Sequence, residues 1–152
     1  MTEPRWLTAT EQRSWRAYVD GSARLTELMD RDLKTRHGLS VSEYEILVRL
    51  SEAPGRSLRM AELAEHASQS RSRLSHTCAR LEGKGLVRRE DCPSDRRGVV
   101  CLLTEEGFAA LERAARDHVE VVRTYLVDVV DPADLAAIGR AFDAVIKRIE
   151  AG

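Results

Sequence analysis

The chain has 152 residues, 43% apolar and 32% charged, which suits one domain, or one small domain plus a helical interaction module, able to bury a core. A net charge of −1 argues against an indiscriminate polycation, no run of about 18 apolar residues is present to span a bilayer, and the N-terminus lacks the basic-then-apolar order of a signal peptide, so the expected location is cytoplasmic with no membrane partner. Cys78, Cys92 and Cys101 are an odd number without metal-ligand spacing, which argues against a secreted disulfide framework and a zinc site; no metal and no cofactor are expected.

Thr8 with Glu11 makes a capping box, and Trp15, Tyr18, Ser22, Leu25, Met29 and Leu33 follow at spacings of three and four. This predicts a first helix ending near Gly38. A second box, Ser42 with Glu45, predicts a helix carrying Tyr44, Leu47 and Leu50 and closed by Pro54-Gly55. Residues 60–67 read as a short helix with Met60, Leu63, Ala64 and Ala67 on one face. The brief Ser68-Gln69 connection to the next helix makes a helix-turn-helix layout.

In that next segment Leu74, Cys78 and Leu81 recur at the spacing of one buried helical face. Ser70 can accept from the free amides of the first turn and Gly85 can end the helix, predicting a span of 71–84. Arg71, Ser72, Arg73, Ser75, His76 and Arg80 are then left outward, side chains able to donate to phosphates or to base edges. Residues 86–90 and 99–103 read as two β-strands, and 91–98 supplies turn residues and the adjacent Arg96 and Arg97: a two-stranded wing. Asp91 and Asp95 are positioned in sequence to brace those guanidinium groups. Charge is polarised as well. Residues 68–98 hold eight Lys or Arg against four Asp or Glu, so the rest of the chain sums to −5.

The C-terminal segment repeats the three-four pattern through Phe108, Leu111, Ala115, Val119, Val122, Leu126 and Val129. Asp131 as cap and Pro132 at the first helical position restart a final helix bearing Leu135, Ile138, Phe142, Val145 and Ile149. Such stripes serve either as intramolecular core or as a partner surface. A helix of about 25 residues extends about 37 Å, longer than the compact domain beside it, which favours cover by a second subunit.

Leu63-Ala64-Glu65, Ser70-Arg71-Ser72, Arg80 through Val87 (Arg-Leu-Glu-Gly-Lys-Gly-Leu-Val), Asp95-Arg96-Arg97 and Leu102-Leu103-Thr104-Glu105-Glu106-Gly107 together resemble the MarR family of winged-helix transcription regulators. The resemblance implies a mostly α fold, a winged helix-turn-helix with long N- and C-terminal dimerisation helices. It divides the chain into 1–38, 39–103 and 104–152, with the first and last segments one intertwined unit. It further implies a homodimer on double-stranded DNA, with Arg97 aimed at the minor groove and Asp95 as its partner. Arg96 would join Arg97 in anchoring the wing. Ser72, Arg73, Ser75 and His76 are assigned to bases, and Arg71, Arg80 and Lys84 to phosphates.

MarR-like proteins commonly bind a small aromatic or anionic effector, for which Trp15, Tyr18, Tyr44 and His118 are candidates with Arg16 as anion partner; interface packing is the competing reading of Trp15 and Tyr18. A redox-responsive repressor acting through Cys92 or Cys78 is an alternative, as is a winged-helix interaction scaffold without specific DNA binding. No Gly-rich phosphate loop or nucleophile elbow occurs and the four histidines are scattered, so no catalytic residues are assigned.

Overall fold

A computed structural model describes residues 1–67 and 69–152, apart from the side chains of Asp95 and Arg96. The chain forms two compact units, Met1–Ala115 and Arg116–Gly152.

The first unit opens with α1 (Ala9–His37). Its capping box forms as the sequence predicts: Thr8 Oγ1 accepts from the Glu11 amide at 3.2 Å, and the Glu11 carboxylate accepts from the Thr8 amide at 2.8 Å. Helix α2 (Val41–Glu52) starts two residues earlier than the Ser42–Glu45 box predicts. The cap is Ser40, whose Oγ accepts from the Glu43 amide at 3.0 Å, because the chain leaves Gly38 extended and turns helical at once. Asp30 of α1 accepts from the Val41 amide at 3.0 Å, fastening the two helices at this corner. The hydrogen bond from Lys34 and that amide hold the Asp30 carboxyl below the usual carboxylate range.

A turn of 3₁₀ helix (Pro54–Arg56) leads into β1 (Ser57–Arg59), then α3 (Met60–His66) and α4 (Arg71–Gly83). Helix α4 is capped by Ser70, whose Oγ accepts from the Arg73 amide at 3.2 Å, and it ends where Gly85 takes φ +74°, a left-handed turn that suits glycine. Strands β2 (Val87–Cys92) and β3 (Asp95–Leu103) follow. The expected two-stranded wing is in fact part of a three-stranded antiparallel sheet ordered β1-β3-β2, with Leu58 opposite Cys101 and Arg89 opposite Cys101 on its other side. The two wing strands also run further than predicted. Pairing continues to Cys92 and Asp95, so the tight turn is Pro93-Ser94, and the register breaks between Asp91 and Cys92.

The core joins Leu33 and Leu39 with Ile46, Leu47 and Leu50 of α2, Leu63 of α3, Leu74, Cys78 and Leu81 of α4, and Val87, Cys101 and Leu103 of the sheet. The apolar stripe predicted on α4 is therefore the face that seats it, leaving the opposite face outward. Helix α5 (Glu105–Val122) begins in this unit with Gly107 against the exit from α4. A Cβ there would lie 2.0 Å from the Leu86 carbonyl oxygen, so only glycine fits. Thr104 locks the same joint by donating to the Gly85 carbonyl at 2.7 Å and accepting from the Gly107 amide at 2.9 Å.

In the second unit α5 passes into a π-helical stretch (Arg123–Val127), so the segment expected to be one uninterrupted helix widens there. Helix α6 (Pro132–Glu150) opens as predicted, with Asp131 accepting from the Ala133 amide at 2.8 Å and proline at its first position.

Candidate nucleic-acid interface

Helix α4 buries Leu74, Thr77, Cys78 and Leu81 and exposes Arg71, Ser72, Arg73, Ser75 and His76 along its opposite side. The two faces follow from one periodicity, since residues three and four apart share a side. The cap Ser70 is exposed at the helix start, its hydroxyl committed to the Arg73 amide.

Between α4 and the hairpin lies an open hollow of about 420 Å³ whose rim carries Arg59, Arg71, Arg89 and Arg97, with Ser75 beside them. Four guanidinium groups around one concavity leave a site of positive potential matched to a phosphate chain. Several are already oriented. Arg59 donates from Nη2 to Ser94 Oγ at 3.3 Å, tying β1 to the hairpin turn. Arg89 donates to Glu82 from Nη2 at 3.1 Å and approaches Ser75 Oγ at 3.5 Å. Its backbone amide reaches the same carboxylate at 2.9 Å. That amide, and then the guanidinium, hold the Glu82 carboxyl below the usual range.

Arg97 is exposed on β3, the strand that carries the wing tip. Asp95 and Arg96, expected as its partner and neighbour, have side chains outside the described residues, and the Ser68 part of the turn between α3 and α4 lies outside them too. Arg59 and Arg89 were not among the residues picked from sequence. Arg59 lies in a strand of three residues, too short for alternation to show in the sequence, and no local pattern marks Arg89 as facing α4.

Arg80 and Lys84, assigned to phosphate by sequence, are both held by Glu43. Lys84 Nζ donates to Glu43 Oε2 at 2.6 Å and to the Gly38 carbonyl at 2.7 Å, and Arg80 Nε approaches Glu43 Oε1 at 3.4 Å.

Within the first unit the effector candidates fall in two places, α1 and the core-facing side of α2. Trp15 and Tyr18 lie side by side on the exposed part of α1, ring centroids 5.7 Å apart, and Arg16 is exposed between them in sequence. Tyr44 packs against the core, where burial first and then the Glu45 charge raise its hydroxyl above the usual phenol range. His118 belongs to the second unit. Tyr18 does border an open hollow of about 630 Å³ with Asp30 of α1, Val41 and Ser42 of α2 and Arg73 of α4.

Cys78 and Cys101 are wholly buried and hydrogen-bonded to one another. That bond lowers the Cys78 thiol below its usual range, and the same bond, with burial, pushes the Cys101 thiol up. Cys92 is also buried, its Sγ 3.3 Å from Ser94 Oγ. All three are buried thiols outside any disulfide.

A helix-turn-helix seated on a small sheet, with a cationic helix face and an arginine-rimmed hairpin, defines a winged-helix protein. A MarR family model matches residues 37–98. AbsC, a MarR family transcriptional regulator from Streptomyces coelicolor, is 42% identical with a TM-score of 0.92 over 98% of this chain and 100% of that one. Sco3205 from the same organism, solved in complex with DNA, is 46% identical with a TM-score of 0.93 over 97% and 92% of the two chains. PecS from Dickeya dadantii (strain 3937) is 34% identical over 68% of this chain and 65% of its own length. The match to the repressor Rv2887 from Mycobacterium tuberculosis (strain ATCC 25618 / H37Rv), 38% identical, takes in 51% of this chain and 54% of that one. The chain thus spans less than two thirds of the length of these two curated relatives. It belongs to the MarR family of transcriptional regulators.

Proposed function

We propose that the chain is a homodimeric repressor that binds a pseudo-palindromic operator through α4 and the wing, and is released by a small ligand. The observation that carries the reading is the convergence of Arg59, Arg71, Arg89 and Arg97 on the hollow beside the exposed face of α4. Ser72, Arg73, Ser75 and His76 read base edges in the major groove. Arg71 holds phosphate, while Arg97, braced by Asp95 and joined by Arg96, engages the minor groove at the wing. Sco3205, similar along nearly its whole length, was solved on DNA, and Rv2887 is named as a repressor; both support the assignment.

Dimerisation is supported by apolar side chains left in solvent. On α6, Ile146 is 52% and Ile149 72% exposed, and Ile138, Phe142 and Val145 are exposed beside them in the helical repeat. On α1 the same holds for Trp15 and Val19. We assign these faces, within residues 1–38 and 104–152, to a second copy. Release by ligand is supported by the hollow that Tyr18 shares with Arg73, since an aromatic or anionic molecule there touches both α1 and the base-reading face of α4. Selection of bound sites from a random duplex library tests the proposal. An enriched inverted repeat is the expected result, and failure to enrich any sequence from a folded dimer overturns it.

A further inference from the structure

Glu43 is an acidic side chain that the DNA-reading account leaves unused, although its side chain is only 6% exposed. It lies in the first turn of α2, three residues after the Ser40 cap, and its carboxylate receives one cation on each oxygen: Lys84 on Oε2 and Arg80 on Oε1. Burying a carboxylate is costly unless it is paired, so this arrangement is one the fold maintains rather than a passing surface contact. The geometry of its partners is also fixed from elsewhere. Lys84 is tied to the Gly38 carbonyl, and Arg80 Nη2 donates to Thr77 Oγ1 at 3.3 Å, with Thr77 in turn donating to the Arg73 carbonyl at 3.0 Å.

Arg73, His76, Arg80 and Lys84 follow one another at spacings of three and four, so the two cations held by Glu43 continue the stripe that begins with the base-reading residues. Their side chains remain 54% and 40% exposed. They are thus on the outward side of the recognition helix and near enough to water to reach a phosphate, yet each is already bonded to a buried anion.

We infer that Glu43 is a positioning residue that withholds Arg80 and Lys84 from the DNA backbone, suppressing sequence-independent affinity while anchoring the C-terminal end of the recognition helix. Every phosphate contact adds affinity for all sequences alike, so a reader gains discrimination when cations beside its base-reading residues are neutralised internally. The inference rests on the DNA-reading proposal.

The test is a salt series of binding to one scrambled duplex by fluorescence anisotropy, using the wild-type chain, Glu43→Gln, and the double variant Arg80→Gln/Lys84→Gln, with circular dichroism to confirm the fold. In Glu43→Gln the two cations are released, and the slope of log Kd against log salt steepens by about 1–2, with binding at low salt tighter by roughly tenfold. The double variant keeps the wild-type slope. An unchanged or shallower slope in folded Glu43→Gln overturns the inference. If Glu43→Gln does not fold, Arg80→Gln and Lys84→Gln made singly, each leaving Glu43 one cation, decide: a slope shallower than wild type by about 1 in either shows that this cation already contacts phosphate and overturns the inference, and unchanged slopes support it. A wild-type chain with no salt-dependent binding to any duplex contradicts the DNA-reading proposal instead.

Discussion

The outward residues of α4 divide by what they can donate. A phosphate contact is blind to sequence and a base-edge contact is not. Replacing Arg71, assigned to phosphate, by alanine therefore weakens binding to every duplex by a similar factor and reduces the salt slope by about 1, leaving the dimer intact. Arg73→Ala and His76→Ala change preference at particular base pairs by about 1–3 kcal/mol, read as affinities across a panel of operator variants. Equal losses at every variant for Arg73→Ala would remove it from the base-reading set. These residues were legible in the sequence because one helical period separates Leu74, Cys78 and Leu81 from everything that faces outward. Glu43 was not legible, since its partners Arg80 and Lys84 lie 37 and 41 residues away along the chain and only folding brings them to its carboxylate. Arg89 escaped for a related reason: a strand shows which residues alternate, but not which side a helix will cover.

Elements were predicted well where a signal is local and double, as in the Thr8–Glu11 box or Asp131-Pro132, and less well where two local signals compete. Ser40 and Ser42 both precede a glutamate three residues later, and periodicity cannot choose between them. The choice falls to the corner with α1, where Asp30 takes the Val41 amide and so sets the helix start. Ser40→Ala is accordingly expected to cost about 1 kcal/mol of unfolding free energy in a denaturant titration, and Ser42→Ala no more than about 0.5 kcal/mol. The reverse order would place the cap at Ser42. Strand β1 was missed because three residues are too few to show an alternating pattern, and its pairing with β3 is non-local. The wing strands were predicted too short because Pro93 and the charged residues around it read as loop, while the backbone pairs through Asp91 and beyond.

At the scale of the whole molecule, the family could be read from the joint spacing of its motifs, and the match to AbsC along the full chain agrees with it. Assembly is harder to read from sequence, because the same apolar stripe serves equally for a core and for a partner. The bare side chains of α6 weigh toward a partner. A two-fold dimer makes a geometric demand that no monomeric or non-specific binder shares: its two recognition helices must meet half-sites on the same face of the duplex, about 10 base pairs apart. The most direct measurement is the affinity of the chain for its selected operator before and after about five base pairs, half a helical turn, are inserted between the half-sites. The insertion is expected to lower affinity to that of a scrambled duplex, and restoring a full turn to recover part of it. Undiminished binding to the half-turn insertion would contradict reading by a two-fold pair of α4 helices.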